Sequence, residues 1–353
     1  MIQAQRARGF RSGGWFWTIA NYKRFGEVLG VLFIRSMRRS ERVYQAMLSR
    51  GESEGVAVSV NAAIAMEMKE IAFRYPGSER DVLRGIDLKM PSGSKTVLMG
   101  MNGAGKSTLI SLMNGLAVAQ SGTYSLFGER IDAKKAKSAR QTVGVVYQDP
   151  DDQLFSPTVA EDVAYGPRNL GCDEREIEDR VRFALGAVGL RDLADRSPFE
   201  LSYGQKRRVA IAGVMAMRTP MMVLDEPMAY LDPRGRDELQ ALLEQMHLMG
   251  TTLMIATHDV DFAAEWADHV VLLKDGKVLA QGSTDLLFDD RLLQEAGLHL
   301  PRLARPFRLL QGLEDEVKPR TVRQAAQWIW KLMRKERDDA RTEVKMEQKQ
   351  REA

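Results

Sequence analysis

The sequence contains a single cysteine and no long apolar run, and both shortages exclude classes of protein. Because Cys172 stands alone, an internal disulfide and a cysteine-ligated metal cluster are excluded, which fits a reducing compartment. The longest uncharged apolar run near the N-terminus, residues 28–34, is closed by Glu27 and Arg35 and is far shorter than the roughly 20 residues of a membrane span. We expect neither a membrane span nor a cleavable signal peptide.

Charge is unevenly distributed along the chain. At 353 residues, with 44% hydrophobic and 28% charged residues, the chain is too apolar to be disordered throughout and fits one main domain with additions. Residues 1–60 hold ten Lys/Arg and four Asp/Glu, a net charge of +6, whereas the whole chain carries +3. The basic character therefore belongs to the N-terminal segment, where a solvated charged face is a commoner explanation than a nucleic-acid or membrane surface.

A glycine-rich loop separates a strand pattern from a helix pattern in TVLMGMNGAGKSTLISLMNG. The backbone N–H groups of such a loop surround phosphate oxygens, and the following helix N-terminus adds partial positive charge. Lys106 is suited to neutralise the β- and γ-phosphates, and Ser107 to ligate Mg²⁺. We predict that ATP is bound by Gly100, Asn102, Gly103, Ala104, Gly105, Lys106, Ser107 and Thr108.

The segment PMMVLDEP is typical of a buried strand whose carboxyl end carries Asp225 and Glu226. In an open α/β sheet, ligands bind at that end of the strands, beside the phosphate loop. We predict that Asp225 contacts Mg²⁺ and that Glu226 is the general base for the attacking water. Without the loop upstream, such an acidic pair would more often be a helix cap or a surface turn.

Three weaker signals lie at other element ends. Gln148 follows the β-branched run of VGVVYQDP, where its amide is expected to contact Mg²⁺ and the attacking water. Ser202 and Gly204, in LSYGQ, stand at a predicted helix N-terminus, which is an anion site. His258 ends a third strand and is placed to reach a γ-phosphate. Each of these three signals is weak alone. A single histidine after a strand, for example, is more often structural than catalytic.

The order and spacing of these motifs resemble the ATP-binding-cassette family over about residues 67–285. The resemblance implies an α/β fold with a phosphate-loop sheet core and an inserted helical lobe at about residues 148–217. It also implies that Tyr75 stacks on adenine and that two ATPs are held in a head-to-tail dimer, for which a homodimer is the economical expectation. The residues that it assigns to the ATP site of the second subunit, in trans, are Ser202, Gly204, Gln205 and Asp232.

One position departs from the family pattern, and the residues around the motifs indicate which branch of the family the chain resembles. Tyr203 replaces the first of two glycines, and we expect it to be exposed or to line the dimer seam. The stretches YQDPDDQLFSPTVAEDVAYGPRNLG and ELSYGQKRRVAIAGVMAM are similar to the ATPases of energy-coupling-factor importers, especially the cobalt and nickel type. Residues 286–313 resemble that group's C-terminal extension, and residues 314–353 are predicted to form a charged amphipathic helix and tail.

This resemblance implies a peripheral ATPase on the cytoplasmic face of the cell membrane that uses ATP and Mg²⁺. Its implied partners are a second ATPase subunit, a transmembrane coupling subunit and a substrate-binding membrane subunit. A vitamin importer remains an alternative, since this subunit never touches the transported solute. A soluble cassette ATPase acting on nucleic acid or the ribosome would favour a second cassette or basic insertions. Neither is in the sequence, so we expect no nucleic-acid partner.

Residues 1–55 resemble a different protein of the same importers, namely the C-terminal coupling region of the transmembrane coupling subunit. The cytoplasmic helices of that region end in an arginine between two small residues, a pattern that Arg8 in RARGF and Arg50 in MLSRGES match. One helix face between them carries Phe33, Met37, Tyr44 and Leu48. We interpret the chain as a fusion with a linker at residues 56–66, and predict that Arg8 and Arg50 are coupling contacts.

Overall fold

The computed structural model describes residues 63–310 and 317–334, which contain two sheets and a set of helices. The strands are β1 (Ile64–Phe73), β2 (Leu83–Pro91), β3 (Lys95–Met99), β4 (Ser121–Leu126), β5 (Glu129–Ile131), β6 (Val143–Val146), β7 (Met221–Asp225), β8 (Thr252–Thr257), β9 (His269–Lys274) and β10 (Lys277–Ser283). The helices are α1 (Lys106–Met113), α2 (Ala136–Thr142), α3 (Val159–Asn169), α4 (Glu174–Ala187), α5 (Tyr203–Met217), α6 (Pro233–Leu248), α7 (Val260–Trp266), α8 (Asp290–Glu295), α9 (Arg305–Arg308) and α10 (residues 322–334).

The larger sheet has the strand order β10-β9-β3-β8-β7-β6 and is parallel except for the antiparallel pair β9–β10. Met99 pairs with Thr257, and Asp225 pairs with Ala256. Because parallel strands end at the same edge, the segments that follow β3, β6, β7 and β8 lie side by side. This arrangement confirms the predicted α/β fold.

Alternating side chains of the larger sheet enter two separate cores. In β3, Val97 and Met99 pack with residues from α3 to α7, whereas Leu98 packs with α1 and the smaller sheet. All three side chains are fully buried. Since burial of one such side chain contributes about 1.5–3 kcal/mol, both faces of β3 hold the loop at its end in place.

The smaller sheet is antiparallel, with the order β2-β1-β4-β5. β1 begins at Ile64, inside the range 56–66 that the sequence predicted as a linker. Ile64 pairs with Pro91 and Met66 with Met90, so these residues already belong to the sheet.

Three helices, α3, α4 and α5, lie between β6 and β7 in the chain. Side chains cap their N-termini: Thr158 accepts from Glu161 N, and Asp173 accepts from Glu176 N. α5 is buried over most of its surface, including its one fully buried cation, Arg207. In the described part of the chain, no helix is long and apolar enough to cross a membrane.

Candidate active site

The loop after β3 is shaped by close backbone approaches. A Cβ on Gly100 would lie 2.2 Å from the Leu273 carbonyl oxygen, so only glycine fits at this position. Gly105 caps α1 with a φ of 106°, in the left-handed region that favours glycine. The residues between them that were predicted to bind ATP form an exposed turn at Asn102 and Gly103, followed by the buried Ala104.

Lys106 opens α1 and is buried. Its Nζ donates to the carbonyl oxygens of Gly100 at 2.8 Å and Met101 at 3.2 Å. Desolvation lowers the pKa of Lys106, and the nearby carboxylates of Glu226 and Asp225 partly offset this effect. The ammonium therefore lies inside the curve of the loop, where it can meet phosphate oxygens.

Ser107 and Asp225 bring the loop and the end of β7 together. The Ser107 hydroxyl donates to Asp225 Oδ2 at 2.9 Å, across 118 residues of sequence. Burial raises the pKa of Asp225, while the Ser107 hydrogen bond acts in the opposite direction. A hydroxyl and a buried carboxylate thus lie side by side at the start of α1.

Glu226 follows β7 with an unusual backbone and two side-chain partners. Its φ is 44°, a left-handed conformation that is uncommon for a residue with a side chain. Its Oε1 lies 2.8 Å from Nδ1 of His258, and its Oε2 accepts from the Thr257 hydroxyl at 3.3 Å. The His258 side chain is 68% exposed and that of Glu226 only 13%, so the histidine is open to solvent whereas the carboxylate is largely shielded.

Tyr75 reaches the same helix start from the smaller sheet. Its hydroxyl lies 3.0 Å from Oγ1 of Thr108, and its ring packs edge-on against Phe73. A cleft of about 490 Å³ is lined by Tyr75 together with Arg74, Asp81 and other residues. An aromatic ring of the smaller sheet therefore borders this cleft and also contacts the start of α1 through Thr108, while its stacking on adenine stays a prediction.

The residues predicted to act in trans lie at two other helix N-termini. Ser202 caps α5 in a reciprocal pair, in which its hydroxyl accepts from Gln205 N and the Gln205 side chain accepts from Ser202 N. Gly204 follows in the first turn of α5. Asp232 caps α6 by accepting from Gly235 N at 2.7 Å. Ser202 and Asp232 are both exposed on the described surface.

Tyr203 is half-buried and not exposed, and it contacts other loops of its own chain, while the alternative that it lines the dimer seam stays a prediction. Its hydroxyl donates to the Gln148 carbonyl oxygen at 3.0 Å and accepts from Arg207 Nη2 at 2.8 Å. Arg207 was missed by the sequence analysis, since a charged residue inside the apolar run of α5 gives no signal of its role. The Gln148 side chain, predicted to contact Mg²⁺, is exposed after β6.

The structure thus brings Lys106, Ser107, Asp225, Glu226 and His258 to one edge of the larger sheet. Arg8 and Arg50, the predicted coupling contacts, lie outside the described residues.

Comparison with known proteins assigns the family. A family model described as ABC transporter matches residues 83–229, and one described as cobalt transport protein matches residues 1–54. The energy-coupling factor transporter ATP-binding protein EcfA of Carboxydothermus hydrogenoformans is 47% identical over 249 residues, covering 70% of this chain and 92% of that protein. The chain belongs to the energy-coupling factor ATPases of ABC transporters.

Solved structures agree with this assignment. The ATPase is similar to cbiO1 from Clostridium perfringens, described as part of the ABC transporter complex cbiONQ, with 36% identity, a TM-score of 0.60, and coverage of 70% of this chain and 96% of that one. It is also similar to a dimeric ATP-binding cassette in a post-hydrolysis state bound to ADP and Pi, with 25% identity, a TM-score of 0.56, and coverage of 62% and 98%. These relatives confirm that the chain is an ATP-hydrolysing subunit of an energy-coupling factor transporter.

Proposed function

We propose that Glu226 is the general base of hydrolysis and that Lys106 neutralises the phosphates. The water is deprotonated by the Glu226 carboxylate as its oxygen attacks the γ-phosphorus, and the bond to the ADP oxygen breaks. His258, hydrogen-bonded to Oε1 of Glu226, orients this carboxylate and faces the γ-phosphate. The backbone N–H groups between Gly100 and Gly105 surround the phosphates, and the Tyr75 ring stacks on adenine.

The donor set at the start of α1 fits Mg²⁺. The Ser107 hydroxyl and the Asp225 carboxylate, 2.9 Å apart, are oxygen donors of the kind that Mg²⁺ prefers, and the exposed Gln148 amide would be a further one. When bound, the ion would neutralise charge on the β- and γ-phosphates. Ser107 and Asp225 would hold it, with the Gln148 amide as a further ligand.

We propose further that two copies of the chain form two ATP sites. Ser202, Gly204, Gln205 and Asp232 lie at exposed helix N-termini, where each would meet the nucleotide or the loop of the partner. The similarity to a dimeric cassette supports this arrangement. The chain carries each element of one complete site, so two identical copies suffice.

The transported solute that we propose is cobalt or nickel ion. The observation that carries this proposal is the match of residues 1–54 to the family model described as cobalt transport protein, in one chain with the ATPase. The similarity to a subunit of cbiONQ supports it. The ATPase would act on the cytoplasmic face of the membrane, with a transmembrane coupling subunit and a substrate-binding membrane subunit.

Uptake in cells tests this proposal. The ATPase is produced together with a transmembrane coupling subunit and a substrate-binding membrane subunit of an energy-coupling factor importer, and accumulation of radioactive cobalt, nickel and biotin is measured in parallel. We expect cobalt or nickel uptake that is lost with Glu226→Gln. Uptake of biotin alone would favour the vitamin alternative, and no uptake of any of the three would contradict the proposed solute.

The basic N-terminal segment is proposed to act as a coupling module, with Arg8 and Arg50 pairing with carboxylates in the assembled transporter. A desolvated, bidentate arginine–carboxylate pair contributes far more than an exposed pair, which contributes about 0–1 kcal/mol. Arg8→Glu/Arg50→Glu should therefore weaken co-purification with the coupling subunit. Arg38→Glu/Arg39→Glu makes the same change of charge in the same segment and is the matched control. Equal recovery of all variants would make residues 1–60 a passive extension.

A further inference from the structure

Tyr203, the residue that departs from the family pattern, connects three segments of its own chain. It is the first residue of α5, and its hydroxyl bonds both the Gln148 carbonyl oxygen and the Arg207 guanidinium. Its ring packs edge-to-face on Tyr230, with 5.5 Å between the centroids and 79° between the planes. Gln148 follows β6, and Tyr230 lies in the turn between β7 and α6. One side chain thus joins the N-terminus of α5 to both loops.

Arg207 extends this connection to Glu226. Arg207 is only 1% exposed; its Nη1 donates to the Glu226 carbonyl oxygen at 3.1 Å, and its Nη2 donates to the Gln148 carbonyl oxygen. Its described hydrogen-bond partners are main-chain carbonyls and the Tyr203 hydroxyl, and its Nε has none among the described residues. A buried cation is costly unless its donors are satisfied, so the guanidinium and these carbonyls fix each other's positions.

A glycine at position 203 would remove this connection. It would delete both the hydroxyl that Arg207 Nη2 meets and the ring that lies 5.4 Å from the guanidinium and packs on Tyr230. Arg207 would keep its bonds to the main chain but lose the side chain in the first turn of α5 that contacts its guanidinium. The two tyrosines therefore form a link that the glycine pattern cannot make.

We propose that Tyr203 and Arg207 are positioning residues. They hold the main-chain carbonyls of Glu226 and Gln148 at fixed positions relative to the N-terminus of α5. This inference rests on the proposed roles of Glu226 and Gln148 in hydrolysis. Because Ser202, at the start of α5, is proposed to meet the nucleotide of the second subunit, the same helix end would also set the general base of its own subunit. Contact with one ATP is thereby transmitted to hydrolysis of the other.

Kinetics of purified variants test the inference. The variants are Tyr203→Phe, which removes only the hydroxyl, Arg207→Lys, and the double variant. We expect kcat to fall about tenfold for Tyr203→Phe with KM for ATP unchanged, because the hydroxyl bonds both the Gln148 carbonyl oxygen and the charged Arg207 guanidinium. Arg207→Lys should cost at least as much, because an ammonium lacks the fork that reaches two carbonyls. The double variant should be no slower than Arg207→Lys alone.

Tyr165→Phe is the matched control, because this half-exposed tyrosine of α3 packs on Phe155, away from Arg207. A merely structural Tyr203 would lower the unfolding temperature without changing kcat. An unchanged kcat for Tyr203→Phe, or additive losses in the double variant, would overturn the inference; if Arg207→Lys does not fold, Tyr203→Phe decides alone. The proposed function fails separately, since full activity of Glu226→Gln would refute it, whereas an inactive Glu226→Gln beside a fully active Tyr203→Phe refutes only the inference.

Discussion

Lys106, at the start of α1, and Tyr203, at the start of α5, both bond main-chain carbonyls, but over different distances along the sequence. In the loop, Lys106 bonds the carbonyls of Gly100 and Met101, six and five residues away. At α5, Tyr203 bonds the carbonyl of Gln148, 55 residues away. We call the phosphate loop around Lys106 the local site, and Tyr203 with Arg207 and Tyr230 the distributed site. The activity of a local site depends on a few indispensable side chains, whereas in a distributed site several side chains each contribute part of the effect. Substitutions should therefore cause large single losses in the first and smaller, coupled losses in the second.

The largest effect is expected where the loop meets the acidic strand end. Glu226→Gln should lower kcat by about two to four orders of magnitude, the range for losing a positioned general base, and leave ATP binding intact. Steady-state hydrolysis and ATP binding by the purified variant measure the two quantities. Glu265→Gln, at an exposed position of α7, is the control. Normal turnover of Glu226→Gln would contradict the assignment of the base.

The second-largest effect is expected for ATP binding when Lys106 of the local site is replaced. Lys106→Ala should weaken ATP binding by roughly 100-fold or more, because the phosphates would lose their compensating charge inside a buried loop. Equilibrium binding of a fluorescent ATP analogue measures the loss. Lys135→Ala is the control, since Lys135 is exposed and pairs with Glu129. Tight binding by Lys106→Ala would be incompatible with the proposed phosphate loop.

A third prediction uses the buried carboxyl of Asp225. Burial raises its folded-state pKa above the ordinary value of 3.8, so the folded protein holds this proton more tightly than the unfolded chain. The free energy of unfolding therefore falls as pH rises from about 3.8 through the raised pKa, and the ionised group destabilises the fold at neutral pH. Asp225→Asn should raise the unfolding temperature of the nucleotide-free protein at pH 7, on the order of 1–4 °C.

This gain in unfolding temperature should shrink at about pH 3, below the ordinary pKa of 3.8, where the carboxyl holds its proton in both the folded and the unfolded chain. Thermal unfolding at both pH values measures it, and Asp179→Asn, on an exposed carboxyl, is the control. A lower unfolding temperature for Asp225→Asn at pH 7 would contradict the sign.

The smallest effect is expected for Tyr230, the exposed member of the distributed site. Tyr230 is 80% exposed, so Tyr230→Ala should lower kcat only about twofold, through loss of the edge-to-face contact with Tyr203. Tyr230→Phe keeps the ring and should behave like the unmodified ATPase. A loss above tenfold for Tyr230→Ala would mean that this residue acts in the site directly.

The contrast between local and long-range contacts also explains which features could be predicted from the sequence. The loop from Gly100 to Ser107 and the acidic end of β7 follow strand patterns directly, so their convergence at one sheet edge follows from parallel pairing. The Ser107–Asp225 hydrogen bond agrees with that expectation. The order of the motifs can be read from the sequence. Their proximity results from the parallel pairing of the strands that they follow.

Other features could not be read in advance. Arg207 stands among apolar residues of α5, and its partners are main-chain carbonyls, which leave no trace in side-chain patterns. The left-handed backbone of Glu226 has no glycine to mark it. The start of β1 at Ile64 depends on pairing with β2, because short apolar runs suit both linkers and edge strands.

The position of β3 in the larger sheet also governs when the ATPase can acquire its site during synthesis. β3 pairs on one side with β8 and on the other with β9, so Met99 meets Thr257 and Leu272. Contacts between residues so distant in sequence form slowly, because a long loop must close first. As the ribosome produces the chain, Met99, directly before the phosphate loop, emerges well over 100 residues before its partners Thr257 and Leu272 in the flanking strands. A nascent chain that stops before β9 should therefore be unable to bind ATP and should depend on chaperones until synthesis passes that strand.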